Sequence, residues 1–382
     1  MFLARSLGLG GAERQLVELA SALHHRGHGV SVAVFYAGYE LDADLELNGV
    51  PLHDLGKHGR WDTVGFAARL LRLIRTERPA ILHSYLSVPN VLAAISAPLL
   101  RSTAIVWGVR ASNVRFEHYD WLTSLTERAG VLFSRGADRI IVNSQAGFRH
   151  HVRLGYPESK MRVIENGVDT QRFRPDPRQG ESLRRRWGIA SDEILIGLIG
   201  RLDPMKGHRT FFEAASRIAA MGEKVRFVCV GSGKPEFAAE LRRGADRLGL
   251  ADRMIWQEAL PDPVPLYSAL DCLCSASTFG EGFPNVVAEA MACEVPCVVT
   301  DVGDSARIVQ CPRYVARAGD ASSLFQAIVA LLGDLASGRV DRGALRRRIV
   351  DDFSLEQLVV RTESALAEVV ASGDKPQTVQ SP

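Results

Sequence analysis

Short apolar runs alternate along the chain with longer stretches in which apolar positions recur every three or four residues. The short runs predict strands at Phe2–Ser6, Gly29–Phe35, Ile81–His83, Ala104–Trp107 and Arg139–Asn143 in the first half. The same rhythm restarts at Ile194–Ile199, Val225–Val230, Arg253–Trp256, Asp271–Ser275 and Val295–Thr300. Between them the periodic stretches predict helices, among them Ala12–Arg26, Val64–Thr76, His208–Met221 and Pro235–Leu248. Strands alternating with helices imply an α/β fold with parallel sheets. The restart follows Phe173–Gly180, a segment rich in proline and charge that reads as a linker. The expected organisation is therefore two Rossmann-like domains, 1–175 and 176–353. A closing helix at 354–370 is expected to pack back toward the first domain, and a polar tail, 371–382, to be disordered. Doubly wound sheets bind ligands at the carboxyl ends of their strands, which directs attention to those loops.

Composition changes this picture little. A chain of 382 residues suits two cores, and 46% hydrophobic with 24% charged residues describes a soluble globular protein. The apolar stretch Val91–Leu100 is shorter than the roughly 20 residues a bilayer crossing needs. Met1–Arg14 lacks the basic-then-apolar layout of a signal peptide, so a cytoplasmic location is expected. The net charge of +2 conceals an asymmetry: residues 1–175 carry 21 Lys and Arg against 16 Asp and Glu. That basic first half, with Arg69-Leu-Leu-Arg-Leu-Ile-Arg75 on one amphipathic stretch, raises peripheral association with the inner face of the plasma membrane. A core-facing helix with a solvated basic side explains the same spacing and is preferred. No Lys/Arg run is dense enough for nucleic acid. All six cysteines lie in the second half; Cys272 and Cys274 share a strand face, and no second Cys/His pair completes a zinc site, so they read as reduced core thiols.

Candidate chemistry concentrates in three strand-end loops of the second half. Between Ser275 and Cys293 the chain leaves a strand, crosses a loop holding Glu281 and Gly282, and enters a helix near Pro284, a residue suited to the first helical position. A helix start presents backbone N–H groups and a positive dipole end to phosphate. Glu289 lies inside that helix on the side of Asn285, so one carboxylate can serve a sugar's hydroxyls and the other a ribose. Separately, each glutamate is explained by a helix N-terminus or a solvated helix face; their pairing around Gly-Phe-Pro favours function. In Gly200-Arg201-Leu-Asp-Pro-Met-Lys206-Gly207, two cations flank a helix entry and could neutralise a diphosphate leaving group, although loop cations are common. Gly231, at a third strand end, is weak evidence of close backbone approach.

These residues resemble glycosyltransferase family 4, whose members have the GT-B architecture: two Rossmann-like domains facing across a cleft. The similarity runs from Gly10-Gly11-Ala12-Glu13 to the closing helix, with the best matches at Asn166-Gly167-Val168-Asp169, Gly200-Arg201…Lys206-Gly207 and Glu281-x7-Glu289. The resemblance implies a retaining hexosyltransferase that moves a sugar from a nucleotide diphosphate donor to a glycan or lipid-linked acceptor. Polysaccharide or glycolipid synthesis for the cell envelope is the implied setting. It implies Arg201 and Lys206 on the diphosphate, Glu289 on the ribose, Glu281 on the donor sugar, and backbone at Phe283, Pro284, Asn285 and Val286 beside it. Gly11 would pack near the phosphates, and no metal or other cofactor is implied beyond the nucleotide sugar as co-substrate.

Four departures bear on specificity. Arg110 stands where the family usually has a histidine that touches the donor sugar; an arginine offers a fixed fork to phosphate or carboxylate instead. His83 is a weaker candidate at a predicted strand end, for the acceptor. Glu294 replaces a glycine after the helix, losing an easy left-handed cap. Arg307 replaces a glutamate, and the first strand is short. Three other readings are weighed at this stage: a catalytically impaired GT-B scaffold or partner subunit, a GT-B epimerase or phosphorylase, against which the Glu-x7-Glu stretch argues, and a dinucleotide oxidoreductase. Gly8-Leu-Gly10 prompts the oxidoreductase, but Glu13 stands where its third glycine should be, so that fingerprint fails.

Overall fold

The computed structural model describes all residues except 60, 61, 63, 101, 111–128, 223, 261 and 373–382. The expected polar tail lies outside the described residues from 373 onward. The chain forms two compact units, Met1–Gly167 together with the helix Leu355–Ser372, and Val168–Ser354.

The first unit holds a parallel sheet ordered β3-β2-β1-β4-β5-β6-β7. Its strands are β1 (Phe2–Ala4), β2 (Val32–Val34), β3 (Leu52–Asp54), β4 (Ile81–Tyr85), β5 (Ala104–Val109), β6 (Arg139–Val142) and β7 (Met161–Val163). Side chains alternate across the sheet as the pleat requires. Phe2, Ala4, Val32, Val34 and Val106 enter one core with helices Gly11–His25 and Leu355–Ser372; Leu3, Ala33, Ile105 and Trp107 enter the other, with helices Val64–Glu77 and Ser87–Ser96.

The second unit repeats the plan, in the order β10-β9-β8-β11-β12-β13. Here the strands are β8 (Ile194–Ile199), β9 (Val225–Val230), β10 (Met254–Gln257), β11 (Cys272–Ser275), β12 (Cys297–Thr300) and β13 (Val315–Ala316). Both sheets share the doubly wound order in which the winding reverses beside the first strand, between β1 and β4 and between β8 and β11. This is the α/β GT-B plan of two Rossmann-like units. Cys272 and Cys274 fill one face of β11, and burial pushes both thiols up, so they stay protonated and inert.

Several sequence expectations require correction. Strands β3, β7 and β13 escaped the apolar pattern because all three are sheet edges with part-exposed positions, unlike the similarly short but fully buried β1 and β2. Phe173–Gly180 is not a linker. Phe173 is buried, and Asp176 caps the helix Pro177–Arg186, accepting from the Gln179 N–H at 3.0 Å, with Pro177 at the first helical position. The chain instead passes between units at Gly167–Val168 and returns at Ser354–Leu355. These passages are neighbours, for the Val168 N–H donates to the Phe353 carbonyl at 2.8 Å. Helix Val64–Glu77 buries Phe66, Leu70 and Ile74 in the core, and Arg69 is tied to the carbonyls of Leu55 and Gly56. Its apolar face is thus occupied by the core. Among the described residues no helix is long and apolar enough to cross a membrane.

Candidate functional site

In the second unit the candidates sit on loops that leave the carboxyl ends of β8, β9 and β11, beside the winding reversal. Glycines bring these loops together. An added Cβ at Gly231 would lie 2.0 Å from the Gly200 carbonyl oxygen, and one at Gly207 (φ +67°) would lie 1.9 Å from that of Ala276. Neither position tolerates a side chain. The Thr278 N–H donates to the Met205 carbonyl at 2.8 Å, locking the β8 loop to the β11 loop. Gly231 therefore has a packing reason for being glycine, independent of any ligand.

On this frame Lys206 and Glu281 meet: Lys206 Nζ donates to Glu281 Oε1 at 2.5 Å. Ser277 Oγ donates to the same oxygen at 2.7 Å. Burial alone would push the Glu281 carboxyl up, but the Lys206 charge and hydrogen bond, the Ser277 hydroxyl and the Arg201 charge together hold it below the ordinary range. Glu281 is thus an ionised carboxylate that is only 7% exposed. Arg201 is exposed beside it. His208, next to Gly207, is pushed down to about 4 by burial and then by the Lys206 charge, so it stays neutral. Positive charge at this loop rests on Arg201 and Lys206.

Beyond Glu281 comes the helix Asn285–Ala292. Pro284 is its N-cap, with φ −78° and ψ 95°, rather than its first helical residue, and no side chain caps the start. Phe283 is buried with its ring 5.3 Å from that of Phe353. The Asp304 N–H donates to the Gly282 carbonyl at 2.9 Å, which fixes the loop from the β12 side. One turn in, beyond Asn285 and Val286, Glu289 is buried and accepts from Tyr267 Oη at 2.5 Å. Glu294 takes the left-handed conformation (φ +63°) that its position after the helix demands. Arg307 pairs with Asp304 at 3.6 Å and lies over the Phe353 ring. Sequence reading missed Ser277 and Tyr267. Ser277 stood in the singled-out loop four residues before Glu281; nothing in the local pattern marked Tyr267.

The remaining candidates belong to the first unit. Gly11 opens the helix Gly11–His25, and the Glu13 carboxylate folds back so closely that a Cβ on Gly10 would lie 1.9 Å from it. Arg110, just after β5, donates to Asn166 Oδ1 at 3.2 Å and to Tyr85 Oη, and its guanidinium lies 4.3 Å from the centre of the Tyr85 ring. His83 is not at a strand end. It occupies the middle of β4, 2% exposed, between the rings of Phe2 and Tyr85, since the strand continues through Ser84 and Tyr85. Burial, then the Arg110 charge, lowers its pKa well below the usual value, so His83 stays neutral. A hollow of about 550 Å³ reaches His83 from the amino ends of β1 and β4, beside Met1, Ile81 and Leu366, away from the strand-end loops. Asn166-Gly167-Val168-Asp169 forms the passage between units: Gln15 clamps Gly167 by two hydrogen bonds of 2.8 Å, and Asp169 accepts from the Gln171 and Arg172 N–H groups.

Residues 9–172 match the family model described as Glycosyltransferase Family 4, and residues 193–334 match Glycosyl transferases group 1. The D-inositol 3-phosphate glycosyltransferase of Mycolicibacterium smegmatis is 31% identical over 170 residues, 44% of this chain and 38% of that protein. The matched stretch thus spans well under half of that relative's length. Among solved structures, Anabaena Alr3699/HepE in complex with UDP-glucose superposes with a TM-score of 0.85 at 23% identity, covering 96% of this chain and 98% of the other. Sucrose-phosphate synthase from Thermosynechococcus elongatus gives 0.79 at 19% identity, over 97% of this chain and 100% of the other. At such identities the likeness speaks for the fold.

Proposed function

Because the chain belongs to glycosyltransferase family 4, with a family 4 domain followed by a group 1 domain on the GT-B plan, we propose that it transfers a sugar from a nucleotide diphosphate donor with retention of anomeric configuration. The observation that carries this reading is the cluster of Arg201, Lys206 and Glu281 at the carboxyl ends of β8 and β11, just before a helix that starts without a side-chain cap. In this reading Lys206 and Arg201 meet the diphosphate as negative charge grows on the leaving group, and the start of helix Asn285–Ala292 adds backbone N–H groups. These groups carry the charge compensation, so a metal ion is not required. Glu281 then accepts from hydroxyls of the transferred hexose and Glu289 from the ribose.

The nucleotide-sugar donor is further supported by the UDP-glucose complex of the Anabaena neighbour, and a glycan or lipid-linked acceptor by the family. Arg110, braced by Asn166 and Tyr85 in the first unit, is proposed to meet an anionic or multiply hydroxylated part of the substrates. The setting proposed with it is envelope polysaccharide or glycolipid synthesis in the cytoplasm, at the inner membrane face. The test is a panel of UDP-, GDP- and ADP-sugars, scored first by thermal stabilisation and then by transfer or hydrolysis, with and without chelator. One nucleotide class should stabilise the protein with chelator present, and Lys206→Ala should abolish most of the effect. A wild-type protein indifferent to all three would refute the assignment; stabilisation without any sugar transfer would point to a scaffold.

A further inference from the structure

We infer that Ser277 is a positioning residue of the donor site: its hydroxyl, set behind Glu281, fixes the carboxylate that holds the Lys206 ammonium where diphosphate is to bind. The inference rests on the donor reading of Glu281 and Lys206 given above.

Ser277 is 1% exposed and makes no use of solvent. It donates to Glu281 Oε1, the same oxygen that accepts from Lys206, so hydroxyl and ammonium converge on one carboxylate oxygen. Lysine is a point charge on a flexible four-carbon stem and keeps no fixed place unaided. Glu281 supplies that place, and Ser277 steadies Glu281. Ser277 is itself held from the β12 side, where Thr300 Oγ1 donates to the Ser277 carbonyl at 2.5 Å. Thr300 is also 1% exposed. On the other flank, Gly207 lets the Lys206 loop close onto the Ala276 carbonyl. The hydroxyl is thus anchored through main chain on both sides, and only its O–H reaches into the site.

Charge gives the arrangement its consequence. Burial works against an ionised Glu281, and Ser277 is one of the donors that offset it. Without that hydroxyl the carboxylate takes up a proton more readily, releases Lys206, and the cation loses its fixed position. A serine that merely filled space would leave the protonation of Glu281 untouched.

The experiment uses the full chain as wild type, Ser277→Ala, Ser277→Thr and Ser277→Cys. The Glu281 carboxyl is followed by carbon NMR across pH, assigned with Glu281→Gln, and UDP affinity is measured by calorimetry over the same range. Ser277→Ala should raise the pH at which Glu281 titrates and weaken UDP binding roughly tenfold at the acid end, the scale of one charge-assisted hydrogen bond. Affinity at alkaline pH should stay near that of wild type. Threonine, which keeps the hydroxyl, should restore both. Cysteine leaves no void, its sulfur being larger than the oxygen it replaces, but donates weakly, and should shift Glu281 in the same direction even where the alanine variant does not fold. An unmoved Glu281 titration in folded Ser277→Ala or Ser277→Cys overturns the inference. A moved titration in a protein that binds neither UDP, GDP nor ADP would uphold the hold of Ser277 on Glu281 and sink the donor reading instead.

Discussion

Lys206 and Glu281 stand at an exchange point between stability and binding. A largely buried carboxylate left without its cation is costly, so Lys206→Ala should lower unfolding stability, by as much as ~3 kcal/mol, besides removing the proposed contact to the donor's diphosphate. Glu281 is held below its ordinary range in the folded protein, so it favours the fold above the unfolded carboxyl's range. That contribution is lost as pH falls through the depressed folded value. Glu281→Gln should therefore flatten the acid side of the stability profile, measured by denaturant titration between about pH 3 and 7. A profile as steep as that of wild type would show that other carboxylates dominate. His83 provides the contrasting case. A neutral ring packed between two aromatic rings has no proton to exchange near neutrality, which removes it from acid–base chemistry.

The elements impose their own demands. Glu294 pays the steric penalty of a left-handed residue after the helix Asn285–Ala292, so Glu294→Gly should raise stability by about 1 kcal/mol, read as a higher melting temperature with unchanged nucleotide affinity. Gly207→Ala should do the reverse. Its Cβ would collide with the Ala276 carbonyl, so the β8 and β11 loops must part, and nucleotide-dependent stabilisation should fall even where the protein still folds. At this scale the sequence was informative where strands are buried on both faces, as in Ile194–Ile199 and Val225–Val230, whose limits match the structure. It was silent at β3, β7 and β13, because these edge strands leave positions partly exposed and so mix polar with apolar residues. Proline and charge at Phe173–Gly180 misled for a related reason: the same residues that mark a linker also start a helix. Within the candidate site, Arg201, Lys206 and Glu281 were legible as charges on glycine-rich strand ends. Ser277 and Tyr267 were not, since their role depends on partners distant in sequence or on a fold-back of the loop.

Across the whole molecule, the two units are joined where the chain passes at Gly167 and again at Ser354. Gln15 closes the first passage with two buried hydrogen bonds to Gly167, so Gln15→Ala should cost about 1–3 kcal/mol by leaving main-chain groups unsatisfied. Hydrogen exchange should show the loss around residues 165–168. Retained protection there would mean that neighbouring groups replace the glutamine amide.

The second passage carries a consequence for the order of events during synthesis. Leu358, Val359, Ala365 and Val369, on the last helix, complete the core built on Phe2, Leu16 and Val32, so the unit made first is finished last. The contiguous stretch from Val168 to Ser354 can close its own sheet while that strip of the earlier unit still faces water. A ribosome that stalls near residue 354 would thus release a product with one finished lobe and one adhesive seam, a natural target for chaperones.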